Sequence, residues 1–287
     1  AHLEAQFAER WSSRLELGHS EDKSDNRDPL NADNNYSFNT YRDSAAWLNT
    51  LRLDEANQLL LGLDWFEDRL STDSDFSQSE RWNQAAFVQH RHRGDGFATE
   101  LGLRHDKNEQ FGSENTWSGA LTLPLNAAND LVLSYSEGFR APTFNDLYYP
   151  DYSNPDLKPE HSKSYELQWR SQLAERTRLE ASLYRTDIED AIASDQDFIP
   201  QNIAEARIHG FEANLQQELF GWQGNLALAL IDPRDRDSGH TLPRRAKRSL
   251  SLDLDRQFGA FAAGITWQAF SGRYDDTANT REIAGYG

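Results

Sequence analysis

The chain has 287 residues, enough for one large all-β domain or two ordinary ones. Its formal net charge of −18 argues against a nucleic-acid partner, which needs a basic footprint. Apolar residues make up 37% of it, mean hydropathy is −0.81, and no run of 18 apolar residues occurs; this excludes a membrane protein built of helices. A membrane β-barrel is not excluded, because its strands alternate apolar and polar side chains and average out as hydrophilic. The acidity suits a surface facing cations or simply solvated acidic loops. Absence of Cys rules out a disulfide scaffold and thiol chemistry, and is compatible with an oxidising compartment. With no Met and no signal peptide, both ends are expected to be cut from a longer precursor.

Period-two alternation predicts about fourteen strands, most long enough to cross a bilayer when tilted, which takes roughly 9–11 residues. In chain order they are His2–Glu9, Trp11–His19, Phe38–Leu53, Asn57–Leu70, Trp82–Arg91, Gly96–His105, Trp117–Leu125 and Asp130–Phe139. Lys163–Leu173, Arg176–Ile188, Ile203–Leu219, Trp222–Ile231, Lys247–Phe258 and Ala260–Ser271 follow, and Ile283 opens another. The pattern is clean in Leu59/Leu61/Leu63/Trp65, Leu226/Leu228/Leu230 and Leu250/Leu252/Leu254, with small, polar or charged residues between.

The connections alternate in length. Short turns are expected near Glu9-Arg10, Asp54-Glu55, Gly94-Asp95, Asn126–Asn129, Ala174-Glu175, Phe220-Gly221 and Gly259. Long polar segments lie between them: Ser20–Tyr36, Ser71–Arg81, Asp106–Asn115, Arg140–Ser162, Ala191–Asn202, Asp232–Ala246 and Gly272–Glu282. Short turns on one rim and long loops on the other describe the wall of an antiparallel up-and-down transmembrane β-barrel, with short periplasmic turns and long extracellular loops. Aromatics near strand ends, such as Trp11, Trp65, Trp82, Trp117 and Trp222, fit interfacial girdles. No linker, heptad or compositional break divides the chain, so residues 1–287 read as one domain.

The stretch Leu131 to Trp169 carries the most specific pattern. After an alternating strand, Ala141-Pro142 halts the ladder because proline has no N–H to donate. Ser136 to Tyr148 (SEGFRAPTFNDLY) resembles the barrel signature of TonB-dependent outer-membrane receptors. Asn154 to Glu160 (NPDLKPE), Ser164-Tyr165-Glu166, Tyr184–Ile192 and Asn202–Ala213 continue the match in order. Within that superfamily the chain is most similar to the cobalamin (vitamin B12) receptors, on Leu242 to Lys247 (LPRRAK) and Ser271 to Asp276 (SGRYDD). Siderophore and haem receptors share the signature from Gly138 to Glu166.

The resemblance implies energy-coupled uptake across the bacterial outer membrane. Cobalamin is then the transported ligand, no cofactor is covalently bound, and outer-membrane lipid and lipopolysaccharide surround the wall. TonB is an implied partner, through an N-terminal region absent here, as is the family's plug domain. The family barrel has about twenty-two strands, so a partial wall of about fourteen, open or incompletely closed, is expected. Ferric-siderophore or haem uptake and a passive porin-like barrel are the alternatives.

Gly138, Phe139, Arg140, Pro142, Asn154, Pro155, Pro159, Glu160, Gly210 and Glu212 are read as family markers with structural roles. Glycine permits tight backbone geometry, proline stops a ladder, and Arg140 is expected to pair inside the lumen with Glu137 or Glu166. Tyr148, Tyr149 and Tyr152 are ligand candidates, since tyrosine presents a flat apolar face with a polar tip to a bulky corrinoid; loop packing is the alternative. Arg244, the first of an arginine pair with Arg245, is carried over by the resemblance as a ligand contact, and Tyr274 with it. A guanidinium fork binds amide or phosphate oxygens, or pairs with an acidic neighbour in the lumen.

Asp22, Asp25, Asp28 and Asp33 form an acidic loop of the kind calcium takes. Calcium is expected of the full-length receptor, but the match places its loops upstream, so these aspartates read as solvated and no metal ligand is assigned. His90, His92 and His105 are expected at a turn end and in a polar lumen. No nucleophile elbow or HExxH motif occurs, so the chain is not read as an enzyme.

Overall fold

Residues that alternate in polarity give a strand two chemically different faces, and pairing such strands extends each face into a surface. A computed structural model describes residues 1–31, 35–195 and 197–287 of the chain. The strands are β1 (His2–Ala8), β2 (Trp11–Asn26), β3 (Tyr36–Arg52), β4 (Asn57–Thr72), β5 (Glu80–Arg93), β6 (Ala98–Asn108), β7 (Gly112–Asn126) and β8 (Asn129–Arg140). After the short helix α1 (Phe144–Tyr148) come β9 (Glu160–Ala174), β10 (Thr177–Ser194), β11 (Pro200–Leu219), β12 (Trp222–Asp235), β13 (Arg248–Phe258) and β14 (Phe261–Phe270). β1 to β14 follow one another in sequence order in one sheet, while β15 (Arg273–Tyr274) and β16 (Glu282–Ile283) form a separate ladder. The contacts group the chain into two units, one of residues 1–94, 99–118 and 139–159, the other of 95–98, 119–138 and 160–287.

In the first unit, Leu15 stands opposite Trp47, Trp47 opposite Leu63, and Leu63 opposite Ala86. These side chains form an apolar surface: Leu63 is 49% exposed, and Leu103 on β6 is 63% exposed. The opposite face is polar. Arg104 donates to Asp64 and Asp106 at 2.8 Å each, Asn83 donates to Asp106 at 3.0 Å, and Arg42 pairs with Asp68 at 2.6 Å. Large apolar groups outside and ion pairs on the other face invert the arrangement of a water-soluble core. A sheet of this kind meets an apolar solvent on its greasy side.

The second unit repeats the pattern. Leu167, Leu183, Phe211 and Leu230 stand opposite one another across β9–β12, and Leu215, Leu226, Leu252 and Trp267 do so across β11–β14. Its buried apolar cluster is small: Ala191, Ala206 and Leu242, packed by Ile188, Ile203 and Ile208.

The strands run further than the alternation predicts. β2 continues through Ser20–Asn26, in the segment expected to be a loop, and these residues pair with Arg42 back to Tyr36 on β3. The expected segment Asp106–Asn115 contracts to residues 109–111, and Ala191–Asn202 contracts to 195–199. Alternation is imposed only where one face meets apolar solvent. Beyond that level both faces are wet and the pattern fades, but the backbone ladder still satisfies its N–H and C=O groups. The connections 73–79, 141–159 and 236–247 remain long, and the strand expected at Ile283 is β16.

Candidate ligand-binding loops

In the first unit the long connection after β8 is an ordered piece of structure. Thr143 opens α1 with a reciprocal cap: its hydroxyl accepts from the Asp146 N–H (3.1 Å), and the Asp146 carboxylate accepts from the Thr143 N–H (2.9 Å). The turn buries Phe144 and Leu147, and Leu147 is 1% exposed. Pro142 is fully buried, and Leu157 is buried further along the loop. The Asn154 N–H donates to the Asp146 carbonyl at 2.8 Å, and the Asn154 side chain accepts from the Asp156 N–H, so this signature asparagine folds the loop back on α1. Pro155 stands exposed in that return, and Pro159 leads into β9. Phe139 and Arg140 end β8.

The three tyrosines differ in their surroundings. The Tyr148 hydroxyl accepts from Gln110 Nε2 (2.5 Å) and donates to Gln78 Oε1 (3.1 Å), so its polar tip is engaged by two neighbouring connections. Tyr149 packs edge-on against Phe76 and is partly exposed. Tyr152 is 55% exposed. Arg81, which the sequence reading did not single out, is buried, and its Nη1 donates to the Pro142 carbonyl at 2.9 Å. One charged residue at a strand start carries no sequence signal of such a role.

The second unit holds the other candidates. A Cβ on Gly138 would lie 2.7 Å from the Ser162 hydroxyl on the next strand. The Glu160 carboxylate accepts from the Ile192 N–H at 2.6 Å. The Tyr184 ring covers Gly210 across the strand pair, and its hydroxyl donates to Glu212 at 2.9 Å. These signature residues hold neighbouring strands to one another.

Arg244 has a left-handed backbone (φ 59°), uncommon for a residue with a side chain. Its N–H donates to the Tyr274 carbonyl at 2.6 Å, and its Nε donates to Asp275 at 2.9 Å. Arg281 approaches the same carboxylate at 3.6 Å. Arg244 and Tyr274 are thus brought together by the backbone, with the Arg244 side chain 66% exposed; Arg245 is exposed beside it. Asp276 ties down the same loop. Backbone N–H groups of Arg281 and Thr280, with the Thr280 hydroxyl, hold its carboxyl well below the usual carboxylate range, at about 2.

The acidic residues do not assemble. Asp22 and Asp25 lie within β2, opposite Thr40 and Ser37, and their odd spacing puts them on opposite faces. Asp28 accepts from the N–H groups of Leu30 and Asn31. Asp33 lies outside the described residues. Among the described residues no group of three or more His, Asp or Glu is arranged to hold a metal. His92 is at a turn end as expected, beside Asn57 (3.1 Å). His90, however, stands opposite Leu59, and His105 alternates with Leu101 and Leu103. Register puts both on the apolar face, and the polar lumen expected for them is corrected; His105 is satisfied by Asn115 at 2.8 Å.

Residues 1–287 match the family described as TonB dependent receptor-like, beta-barrel. The chain belongs to this family. Relatives include the vitamin B12 transporter BtuB of Photobacterium profundum, 31% identical over 94% of this chain and 48% of that protein. BtuB of Vibrio vulnificus is 31% identical over 84% of this chain and 41% of that protein. The chain thus spans about half the length, or less, of the relatives it matches. Among solved structures, the ferric-catecholate import receptor Fiu of E. coli superposes with a TM-score of 0.76 at 12% identity, over 99% of this chain and 55% of that one. As a TonB-dependent receptor wall, the chain lies in the bacterial outer membrane, with its apolar face toward lipid.

Proposed function

We propose that this chain supplies barrel wall and capture loops of a receptor that imports cobalamin or a related corrinoid, with release coupled to TonB. The observation that carries this reading is the 31% identity, over 94% of the chain, with a relative named as a vitamin B12 transporter. Two features of the loops support it. Tyr149 and Tyr152 offer exposed aromatic faces to a bulky amphipathic ligand. Arg244, held at its Nε by Asp275, presents a largely exposed guanidinium suited to amide or phosphate oxygens. The test is binding to the full-length receptor in detergent, with cyanocobalamin and a ferric catecholate siderophore titrated in parallel. Saturable binding of cyanocobalamin alone is expected; saturable binding of the siderophore alone overturns the assignment.

A further inference from the structure

We propose that Arg81 is a positioning residue for ligand capture, holding the 141–157 loop so that Tyr149 and Tyr152 are presented in advance of binding. The proposal rests on the uptake reading above and deepens it by naming what orders the capture loop.

The geometry has three parts. First, the Arg81 guanidinium is buried between aromatic rings, 5.6 Å from the centroid of Phe111 and 5.2 Å from that of Phe144. Phe111 belongs to the connection 109–111, and Phe144 opens α1, so one cation joins two loops through their ring faces. Second, Arg81 Nη1 donates to the Pro142 carbonyl at 2.9 Å and approaches Gln110 Oε1 at 3.4 Å. Pro142 is where the chain leaves β8, so the bond sets the direction in which the loop departs. Third, Gln110 also donates to the Tyr148 hydroxyl, which donates onward to Gln78 in the connection 73–79. In the same connection Phe76 packs against both Tyr149 and Phe38.

Three connections that are far apart in sequence are therefore fastened at one buried cation, one hydroxyl and one ring stack. A bare loop of this length would lose conformational freedom on binding, and fixing it beforehand removes that cost from the affinity. A buried guanidinium is also demanding: the site keeps it only because carbonyl, amide and ring faces replace its water. Tyr148 on this reading is a latch, and Tyr149 with Tyr152 are the presented surface.

The test uses the full-length receptor in outer-membrane vesicles, with Arg81→Gln and, as a milder second variant, Tyr148→Phe. Amide hydrogen exchange over 143–157 is expected to accelerate at least about tenfold in Arg81→Gln, the signature of a locally opened segment. The concentration of cyanocobalamin giving half-maximal binding is expected to rise about tenfold, with the amount bound at saturation unchanged. Arg81→Lys, which keeps the charge and loses the fork, is expected to fall between. Unchanged exchange in both Arg81→Gln and Tyr148→Phe overturns the proposal. Faster exchange with an unchanged half-saturating concentration also overturns it, because the residue would then be structural only. If the unmutated receptor binds no cyanocobalamin, the substrate reading fails separately, and the exchange comparison still decides whether Arg81 holds the loop.

Discussion

Gly210 and Tyr184 make a pair whose energetics change sign with the partner. They face each other across β10 and β11, and the tyrosine ring lies over the glycine. A Cβ built on Gly210 would sit 2.1 Å from Tyr184 Cζ and 2.5 Å from Cε1, where ordinary carbon contacts are about 3.5–4.0 Å. In Gly210→Ala the ring must swing away and give up its hydrogen bond to Glu212 (2.9 Å). Overpacking of that kind costs ~1–3 kcal/mol. Once the ring is removed by Tyr184→Ala, the same change relieves a strand-interior glycine and should stabilise by ~0.5–1 kcal/mol. The two effects differ in sign, so the coupling between the sites is ~1.5–4 kcal/mol. Urea unfolding of the full-length receptor in lipid vesicles, for the single variants and the double variant, measures it. If Gly210→Ala has the same effect with and without the Tyr184 ring, the account of this signature glycine is wrong.

Two further outcomes follow from the same physics. The Asp276 carboxyl titrates at about 2 in the folded loop against an ordinary value of 3.8. Its contribution is therefore fully present above the ordinary value and is lost as pH falls through about 2; the protection of amides over 271–281, taken against the intrinsic exchange rate at each pH, should fall across that window and stay level above it. Leu63→Arg places a charge on the lipid-facing side and should cost ~2–4 kcal/mol in vesicle unfolding if it lies near the bilayer midplane. Thr50→Arg, on the polar face, should cost far less, and equal costs would contradict the facing assigned to β3 and β4.

How far the chain is legible without coordinates varies by position. Leu59/Leu61/Leu63/Trp65 read correctly because lipid on one face demands a period of two, and the order of the fourteen strands followed from short antiparallel turns. Ser20–Asn26 did not, since with water on both sides the backbone ladder there imposes no alternation of polarity. The histidines failed for a different reason. His105 is polar but sits on the Leu101/Leu103 side, because register, not residue type, assigns the face. Among the candidate residues, the three tyrosines were visible as a cluster, but their division into a latched Tyr148 and exposed Tyr149 and Tyr152 needed Gln78 and Gln110 in place.

The amino-acid sequence by itself determined what is local or periodic: an all-β chain, its strand succession, the proline stop at Pro142, and motifs that mark a TonB-dependent receptor. Tertiary structure alone decided which distant groups meet. Arg81 reaches the Pro142 carbonyl across 61 residues, and Arg244 reaches Asp275 across 31. Such contacts leave no trace in spacing or composition, because they depend on how the sheet registers its strands and returns its loops, and that is set by the sum of many pairings rather than by any one segment.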